Sequence, residues 1–283
     1  MLRWLEYLLA RGVLSSLAVG PPALARFYAG LLDRLVPRLR RIALRNLAVT
    51  GMPLQTADGV YESIARLLYG FARLPQINQS NVHQWIRYEG FEHFEEAKRR
   101  GKGVLFATGH LGNWELSAYA HALMTEPMYV VVRPLDNPRI DRLVEQRRSG
   151  SGNRIIGKKD LLRGVLKALA ANEAVGILLD QNAGLDDGVF VDFFGLKASA
   201  NVGFTKLAQR TGAAVIPGFA VWSPAERRYI LRFYPIVEMT GDIVADTQSL
   251  QAALEAAIRE YPDQWLWIHR RWKTRPPGEP PLY

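Results

Sequence analysis

The hydrophobic and polar positions divide the chain into a helical N-terminal part and a longer part in which strands and helices alternate. Residues 56–74 carry apolar side chains at helical spacing, and from about residue 90 short apolar runs alternate with longer periodic stretches. The apolar runs predict strands at 103–108, 128–132, 174–179, 213–221 and 229–234. The periodic stretches predict helices at 91–100, 113–125, 138–149, 159–172, 199–211 and 248–261. This alternation predicts an α/β fold with a mostly parallel central sheet flanked by helices on both faces.

Two features add detail to this sheet. The runs 213–221 and 229–234 are separated only by a short polar turn, so they predict an antiparallel hairpin and a mixed sheet. An extended stretch is expected near Trp85–Tyr88, before the first regular strand. The proline-rich end, Pro276–Pro281, predicts an extended tail.

The first fifty residues carry an unusual charge pattern. They contain eight arginines against Glu6 and Asp33, interleaved with Leu, Val, Trp and Tyr. Their longest uncharged run, Gly12–Ala25, has 14 residues and includes two prolines, which is too short to span about 30 Å of hydrocarbon. Glu6 and Arg11 also make a cleavable signal peptide a poor fit. We expect basic amphipathic helices lying on an anionic membrane surface in residues 1–50, followed by one catalytic unit in residues 51–283. The alternative is a solvated basic face that packs on the main domain.

The composition limits the chemistry. The chain of 283 residues has a net charge of +9, which favours an acidic partner such as nucleic acid, anionic lipid or an acidic protein. No helix-turn-helix, zinc-finger or RNP-like signature accompanies this charge, so nucleic acid is not expected as a partner. The chain has no cysteine, which excludes disulfides, thiolate metal sites and thiol nucleophiles.

The stretch Thr108–Glu115 is the strongest candidate for catalysis. It places His110 and Glu115 five residues apart, directly after a predicted buried strand, where open α/β sheets place their chemistry. On one regular helix the two side chains would point about 140° apart, but they can meet if His110 lies in the turn and Glu115 in the first helical turn, with Asn113 as N-cap. A neutral imidazole oriented by a carboxylate can take a proton from a hydroxyl and return it to a leaving group. The alternative is a turn histidine bound to a backbone carbonyl.

At two other positions, polar residues directly follow a predicted strand. Arg133 comes directly after the run Val130–Val132, and its fork of donors suits phosphate or carboxylate oxygens, although an ion pair with a nearby acid is equally compatible. Asp180 and Gln181 end another apolar run and either orient a ligand or fix the loop.

Two aromatic segments stand near the end of the chain. The glycine-bounded loop 188–195 contains Phe193 and Phe194, which could line an acyl-chain groove, although aromatic runs more often form core. The segment 265–273 mixes tryptophans with His269, Arg270 and Arg271, a composition that suits an interface between protein, lipid headgroups and water.

Read in this order, these segments resemble the bacterial lipid A biosynthesis acyltransferases, the late lauroyl and myristoyl acyltransferase family. That family belongs to the wider group of glycerolipid acyltransferases with an H-x4-D/E motif. The resemblance runs from the basic N-terminal arm to residue 273, and so covers nearly the whole chain. Its most specific parts are Gly109–Glu115, the Asp180-Gln181 pair, Phe193-Phe194-Gly195 and the His-Arg-Arg cluster at 269–271.

The resemblance implies an O-acyltransferase at the cytoplasmic face of the cell inner membrane, attached peripherally. His110, oriented by Glu115, would deprotonate the hydroxyl of a lipid A precursor, which then attacks an acyl thioester. Backbone N–H groups around Leu111-Gly112 would stabilise the oxyanion. Arg133, Asn113, Gly112, Asp180, Gln181, Phe193, Phe194, Arg270 and Arg271 would bind substrate. No metal or cofactor is implied. The donor is expected to be acyl carrier protein or coenzyme A thioester.

Two departures and several alternatives remain. The N-terminal region lacks the membrane-spanning helix of many members, and Asp192 stands where a proline is expected before the two phenylalanines. The acceptor could be another lysophospholipid or glycolipid, including a mannosylated phosphoinositide or an ornithine lipid. A thioester hydrolase with the same base, or a non-enzymatic basic membrane-binding protein, are the alternatives from other classes. The Gly-x-Ser-x-Gly elbow typical of α/β esterases is missing.

Overall fold

Among the described residues, five α-helices come before the first strand of the central sheet. The computed structural model of the chain describes residues 2–157 and 161–283. Its α-helices are α1 (Leu2–Val19), α2 (Pro22–Leu35), α3 (Pro37–Val49), α4 (Thr56–Arg73), α5 (Val82–Trp85), α6 (Phe91–Arg99), α7 (Trp114–Met124), α8 (Pro138–Ser149), α9 (Leu161–Ala170), α10 (Gly203–Thr211) and α11 (Ile243–Glu260). Short 3₁₀ turns occur at Leu74–Gln76 and Pro262–Gln264.

The strands form one central sheet and one separate hairpin. They are β1 (Ile86–Glu89), β2 (Val104–Thr108), β3 (Tyr129–Val131), β4 (Arg154–Ile156), β5 (Ala174–Leu178), β6 (Gly188–Phe193), β7 (Leu196–Asn201), β8 (Ala214–Ser223) and β9 (Arg228–Phe233). The central sheet has the order β1-β9-β8-β2-β5-β3-β4. Neighbouring strands are parallel except β8 and β9, which form an antiparallel pair. The predicted α/β fold with a mixed, mostly parallel sheet and a late hairpin is therefore confirmed.

The middle of the sheet is covered on both faces because its strands are apolar throughout. The first four residues of β2, Val104–Ala107, are all buried. Side chains of alternate positions enter two different clusters, with Phe106 in one and Leu105 in the other. Helix α7 packs on the first of these faces and helix α9 on the second.

Residues 199–201 differ from their prediction as the start of the helix 199–211, because they belong to a strand that spans Leu196–Asn201. This strand is β7, which pairs with β6 in a tight hairpin. The turn residues Phe194 and Gly195 both have positive φ, 55° and 74°, as type I′ turns require. The small residues Ala198–Ala200 are buried in this hairpin, and helix α10 begins only at Gly203. The short strand β4 was also not predicted, because three residues carry too little periodicity to separate from a loop. The first two residues of the predicted helix 159–172 lie outside the described residues.

The N-terminal helices pack on α4 and on the C-terminal segment. Leu14 and Leu17 of α1 are buried in the same cluster as Val60 and Ile64 of α4. In α3, the buried Asn46 donates from Nδ2 to the carbonyl oxygens of Trp267 (2.7 Å) and His269 (2.8 Å). Within the part of the chain that the structure describes, no helix combines the length and apolar character needed to cross a membrane. The division at residue 50 remains a prediction.

Replacement of Leu17 by Ala tests how firmly α1 is attached. Leu17 is 0% exposed, whereas Leu9 on the same helix is 71% exposed. Leu17→Ala should lower the free energy of unfolding by about 2–5 kcal/mol, since a buried leucine loses contacts and leaves a cavity. Leu9→Ala should change it by less than about 0.5 kcal/mol. Chemical denaturation in a non-ionic detergent measures both, and equal losses in the two variants would contradict the docking of α1 described above.

Candidate active site

The candidate catalytic residues lie at the carboxyl edge of the central sheet. Strands β2 and β5 are parallel neighbours, and Thr108 is in register with Leu178 at their ends. The loops that follow therefore leave the sheet side by side, which brings His110 next to Asp180. Open α/β sheets place ligands at this edge.

Asp180 holds His110 through two hydrogen bonds. The carboxylate accepts from the His110 ring at Nδ1 (2.8 Å to Oδ1) and from the His110 backbone N–H (2.8 Å to Oδ2). Since an ionised carboxylate only accepts, Nδ1 carries the proton and Nε2 keeps its lone pair. The His110 ring also contacts Trp114 edge to face, with ring centroids 4.8 Å apart. The arrangement gives a base with a fixed tautomer and a fixed ring orientation.

The C-terminal segment closes over this pair. The indole N–H of Trp265 donates to Asp180 Oδ2 at 2.9 Å, and the backbone N–H of Leu266 donates to the carbonyl of His110 at 3.0 Å. The ring of His269 lies between two carbonyl oxygens, with Nδ1 2.6 Å from that of Leu266 and Nε2 3.1 Å from that of Asp180. Asp180 and Trp265 are fully buried. The site is therefore rigid on the side away from solvent.

The electrostatics of the pair are set by burial and by the carboxylate. Burial alone would raise the pKa of Asp180, but the neighbouring His110 and the hydrogen bonds to it keep that pKa well below its usual range. Burial alone would lower the pKa of His110, and the Asp180 carboxylate more than compensates, so this pKa lies above its ordinary value of 6.5. Glu115 adds to this increase and Arg148 opposes it.

Glu115 does not hold the His110 ring, which differs from the expectation drawn from the five-residue spacing. Its carboxylate instead binds Arg148 of α8, with Arg148 Nε donating to Oε2 at 2.8 Å and Nη2 donating to Oε1 at 2.5 Å. Nδ1 of His110 is already occupied by Asp180. The physical reason is that a carboxylate in the first turn of α7 faces α8, and a planar guanidinium satisfies both of its oxygens.

Two of the three residues between His110 and α7, Gly112 and Asn113, shape the backbone there. Asn113 is the N-cap of α7, as predicted, and its Oδ1 accepts from the backbone N–H of Leu116 at 3.0 Å. Gly112 has a positive φ of 66°, and a Cβ there would lie 1.9 Å from the carbonyl oxygen of Ala220. Only glycine fits this approach of the loop to β8. The Gly112 N–H donates to the carbonyl of Gln264, so it is not free for an oxyanion.

An apolar cavity opens beside this loop, between α7 and one face of the sheet. The space inside it is about 770 Å³ when the open solvent at its mouth is included. The lining residues that flank His110 are Thr108, Trp114 and Glu115, and Arg148 completes the polar part. The rest of the wall is mostly apolar and comes from β2, β3, β5, β8, β9 and α7, including Phe106, Ala118, Met128, Val130, Gly176, Leu178, Gly218, Leu231 and Phe233.

His121 lines the same cavity in a very different environment. It is buried against Phe94 and Phe106, and its Nδ1 lies 3.2 Å from the hydroxyl of Tyr88. Burial lowers the pKa of His121 to about 3, since no carboxylate compensates for it. This imidazole stays neutral over the physiological pH range.

Arg133 and Gln181 lie near the site but are exposed. Arg133 is on the loop after β3, next to Val132, which lines the cavity. Gln181 follows Asp180. Their roles in binding remain predictions.

The aromatic and cationic residues at the C-terminal end are mostly part of the core. Phe193 and Phe194 are buried against Trp265 and Trp267, and neither lines the apolar cavity. Arg271 is also buried; it donates to the carbonyl of Ser199 (2.7 Å) and to Gln251 Oε1 (3.0 Å), and burial lowers its pKa to about 10.

Arg270 lies over the ring of Tyr283, with its guanidinium carbon 5.7 Å from the ring centroid. These positions favour bracing of the C-terminal segment over direct contact with a substrate.

Three residues of the site were not assigned a role from the sequence. Arg148 binds Glu115, Trp265 donates to Asp180, and His269 contacts the backbone of Asp180. Trp265 and His269 stand in the aromatic–basic segment that the sequence singled out, whereas nothing in the sequence around Arg148 distinguishes it from the other arginines of α8. Within residues 2–157 and 161–283, no group of three or more histidines and carboxylates could hold a metal ion.

Comparisons of the sequence with known proteins identify the family of the chain. The sequence model described as "Bacterial lipid A biosynthesis acyltransferase" matches residues 1–274. A lipid A biosynthesis lauroyltransferase of Escherichia coli (strain K12) is 32% identical over 205 residues, which is 71% of this chain and 66% of the relative.

Two other relatives extend the comparison. A lipid A biosynthesis acyltransferase of Haemophilus influenzae is 26% identical over 227 residues, 80% of this chain and 71% of the relative. A phosphatidylinositol mannoside acyltransferase of Mycobacterium tuberculosis is 28% identical over 261 residues, 88% of this chain and 80% of the relative. The chain thus spans from about two thirds to four fifths of the length of these relatives. On the match to residues 1–274, the chain belongs to the bacterial lipid A biosynthesis acyltransferase family and is an acyltransferase.

Proposed function

We propose that this protein transfers a fatty acyl chain from an acyl thioester, preferably acyl carrier protein, to a hydroxyl group of a lipid A precursor. The observation that carries the proposal is the buried pair of His110 and Asp180 beside an apolar cavity of about 770 Å³ at the carboxyl edge of the sheet. The pair supplies a base, and the cavity offers a place for a hydrocarbon chain. The lauroyltransferase of Escherichia coli supports the lipid A acceptor.

The reaction uses Nε2 of His110 as the general base. Nε2 takes the proton of the acceptor hydroxyl while the oxygen attacks the thioester carbonyl, so a carbon–oxygen bond forms. When the tetrahedral intermediate collapses, the carbon–sulfur bond breaks and the thiol leaves with the proton from Nε2. The Asp180 carboxylate stabilises the imidazolium that exists between these two steps. The histidine ends in its starting state, and no acyl-enzyme forms.

The oxyanion would be stabilised at the start of α7. The first N–H groups of a helix have no partner within it, and the helix dipole places partial positive charge there. The backbone N–H groups of Trp114 and Glu115 are in this position, and both residues line the cavity. Arg148 is held beside them by Glu115 and adds a full positive charge. In this role Glu115 positions Arg148 and raises the pKa of His110 from a distance.

The other substrate contacts follow from charge. A net charge of +9 favours an acidic donor protein, and the phosphates of coenzyme A are the alternative anionic donor. Arg133, exposed next to the cavity wall, would hold anionic oxygens of donor or acceptor. The similarity to a phosphatidylinositol mannoside acyltransferase makes a mannosylated phosphoinositide the second candidate acceptor.

The N-terminal helices would attach the protein to the cytoplasmic face of the inner membrane. In α1, Leu2, Leu5 and Leu9 are 71%, 57% and 71% exposed, and in α2 Phe27 and Leu35 are 61% and 70% exposed. These spacings place apolar side chains on one side of each helix, among the arginines of residues 1–50. Apolar and basic side chains together suit binding to an anionic lipid surface.

Replacement of His110 tests the base. His110→Ala should reduce transfer from labelled acyl carrier protein to a tetra-acylated lipid A precursor to background, because no other group takes the hydroxyl proton. His83→Ala, at an exposed histidine, is the matched control and should transfer at the wild-type rate. Thermal unfolding checks that both variants fold. Full activity of a folded His110→Ala variant would show that the base is wrong.

Replacement of Asp180 tests the source of the His110 pKa. The base must be neutral, so wild-type transfer should increase as pH rises through a His110 pKa above 6.5. Asp180→Asn removes the charge that raises this pKa, so the midpoint should move to lower pH, while the plateau rate drops by about 10²–10⁴-fold. Glu115→Gln should move the midpoint less, since its effect on His110 is the weaker of the two.

The midpoint of the pH dependence is measured twice, from the transfer rate and from the NMR titration of the His110 Cε1–H signal, and the two values should agree. A larger downward shift in Glu115→Gln than in Asp180→Asn would contradict the assignment of Asp180 as the carboxylate that holds the ring.

Filling the cavity tests whether it holds the acyl chain. Val130 lines the cavity from β3, and Val130→Phe should shift the preference toward shorter chains. Each methylene that loses its burial changes the relative kcat/KM by about fourfold, the equivalent of about 0.8 kcal/mol. Val244→Phe, at a valine that is 51% exposed on α11, is the control. Competition between acyl donors of different length measures the preference, and an unchanged preference in folded Val130→Phe would place the chain elsewhere.

A further inference from the structure

A second large cleft lies on the same side of the sheet and has a different character. It is formed by α2, α4, α5 and the end of the β8–β9 hairpin, with an empty volume of about 1150 Å³ including open solvent. We call it the arginine cleft, because its walls carry Arg26, Arg66, Arg227 and Arg228 together with Trp85 and Trp222. It shares no lining residue with the apolar cavity. None of the steps of the proposed acyl transfer uses a residue of this cleft.

The positive charge of the arginine cleft is only partly balanced. Arg26 and Arg66 share one carboxylate, that of Glu62, at 3.0 Å and 3.3 Å. Arg228 shares Glu226 with Arg87 at the rim, at 2.8 Å and 2.7 Å.

The side chain of Arg227, at the tip of the hairpin, has neither an ion pair nor a hydrogen bond to any described residue, whereas its backbone N–H donates to the carbonyl of Ser223 at 2.8 Å. Arg227 is exposed and has a positive φ of 52°. The four arginines of the cleft therefore have only the carboxylates of Glu62 and Glu226, and Glu226 is shared with Arg87, which also binds Glu89 at 3.3 Å. Donors are left for an anionic ligand.

Aromatic rings fix part of this charge in place. The guanidinium carbon of Arg66 lies 5.3 Å from the centroid of the Trp222 ring. On the opposite wall, Trp85 packs against Tyr69 with ring centroids 6.2 Å apart. A cation stacked on an indole loses less conformational freedom when it binds a ligand than a free side chain does.

A pair of buried polar groups lies at and beneath the floor of the arginine cleft. The hydroxyl of Tyr229 and Nδ2 of Asn113 are neighbours, and neither has a further hydrogen-bond partner among the described residues. Tyr229 lines the cleft, and burial raises its pKa, so the hydroxyl keeps its proton and can donate. Nδ2 of Asn113 lies against Gly70, which also lines the cleft; a Cβ there would be 2.8 Å from it. The hydroxyl and the amide nitrogen carry three donor hydrogens between them, and a contact between the two groups uses only one, so donors remain for a ligand oxygen.

The position of the arginine cleft relates it to the active site. Along the hairpin, the pair Trp222–Tyr229 lies four residues beyond the pair Gly218–Phe233, which lines the apolar cavity. Four residues of strand correspond to about 13 Å, and the even spacing keeps both pairs on one face of the sheet. Gly112, next to the catalytic loop, is bridged to Ala220, two residues before Trp222.

The helix that lines the arginine cleft also carries exposed apolar side chains. Helix α2 contributes Arg26 to the cleft, and the next residue, Phe27, is 61% exposed. Leu35 on the same helix is 70% exposed. The cleft therefore combines guanidinium groups, aromatic rings and an adjoining apolar helix face, as a ligand with a charged head and a hydrocarbon part requires.

We propose that the arginine cleft binds a phosphate ester carried by a lipid. Arg66 and Arg227 hold the phosphate oxygens, the tryptophans contact the ring or backbone of the headgroup, and the hydrocarbon part lies along α2. In a transferase this lipid is the acceptor, and that assignment alone rests on the proposed function. The hydroxyl to be acylated then lies between the arginine cleft and the apolar cavity, where His110 stands.

Binding measurements test the arginine cleft without the reaction. The test variant is Arg66→Gln/Arg227→Gln, and the control is Arg163→Gln/Arg210→Gln, which removes the same charge from exposed positions on α9 and α10. Isothermal titration uses dodecyl maltoside micelles containing lysophosphatidic acid, the same micelles containing lysophosphatidylcholine, and free glycerol 3-phosphate. We expect the wild type and the control to bind the lysophosphatidic acid micelles, and the test variant to bind them at least about tenfold more weakly. Melting temperatures show that the variants fold, and each single variant is measured as well.

The outcomes separate the possible ligands. Equal losses in the test and control variants would mean attraction to a charged surface without a site, and the proposal would be wrong. Binding of glycerol 3-phosphate as tight as that of the lipid would replace the lipid by a free phosphate, and a preference for lysophosphatidylcholine would exclude phosphate recognition.

A steady-state measurement then tests the link to catalysis. The test variant should raise KM for a phosphorylated acceptor at least about tenfold and leave KM for the acyl donor unchanged. If the wild type transfers no acyl chain, the proposed function is wrong. The titrations would still show whether the arginine cleft binds a lipid phosphate ester.

Discussion

The buried carboxylate of Asp180 is the constraint around which the active site is built. An ionised group without exposure to water is stable only when its hydrogen bonds are complete, and removal of one partner of such a pair costs about 3–5 kcal/mol. Asp180 accepts from the ring and the backbone of His110 and from the indole of Trp265. These donors come from two segments that are 155 positions apart in the chain. The C-terminal segment must therefore dock before the site is complete, and the same charge that requires this docking raises the pKa of His110.

The C-terminal segment is held in turn by polar residues in the core. Asn46 of α3 binds two of its carbonyl oxygens, and Arg271 binds the carbonyl of Ser199 in the β6–β7 hairpin. Trp265, Trp267 and Trp272 are fully buried and pack against Phe193 and Phe194. The aromatic–basic cluster of residues 265–273 thus has a structural role in this chain: it attaches the segment that carries Trp265 and His269 to the rest of the molecule. The N-terminal helices, the hairpin and the catalytic loop are linked through it.

The sequence predicted what depends on local periodicity and missed what depends on distant contacts. The strands of the central sheet other than β4, the loop with His110 and the N-cap at Asn113 follow from short stretches of residues. The partner of His110 does not, because Asp180 is 70 residues away and its approach depends on the parallel pairing of β2 and β5. Glu115 was the carboxylate expected to orient His110, because it is close in sequence, but it forms an ion pair with Arg148 of the neighbouring helix. The β6–β7 hairpin was missed because its turn uses Phe194 with positive φ, where glycine or asparagine would be the usual signal.

The size of the side chains on one face of the sheet separates the apolar cavity from the arginine cleft. The apolar cavity exists because Gly176 and Gly218 leave space between the sheet and α7; a Cβ at Gly176 would lie 2.8 Å from Cε of Met128. Farther along the same face, the larger Trp222 and Tyr229 close this space and begin the wall of the arginine cleft. The apolar cavity suits the hydrocarbon part of one reactant, and the arginine cleft suits the charged part of the other. Polarity alone therefore directs the two reactants to different ends of this surface. Under the proposed function, the hydrocarbon of the donor and the charged headgroup of the acceptor meet at the boundary, where the loop from Gly109 to Asn113 presents the imidazole.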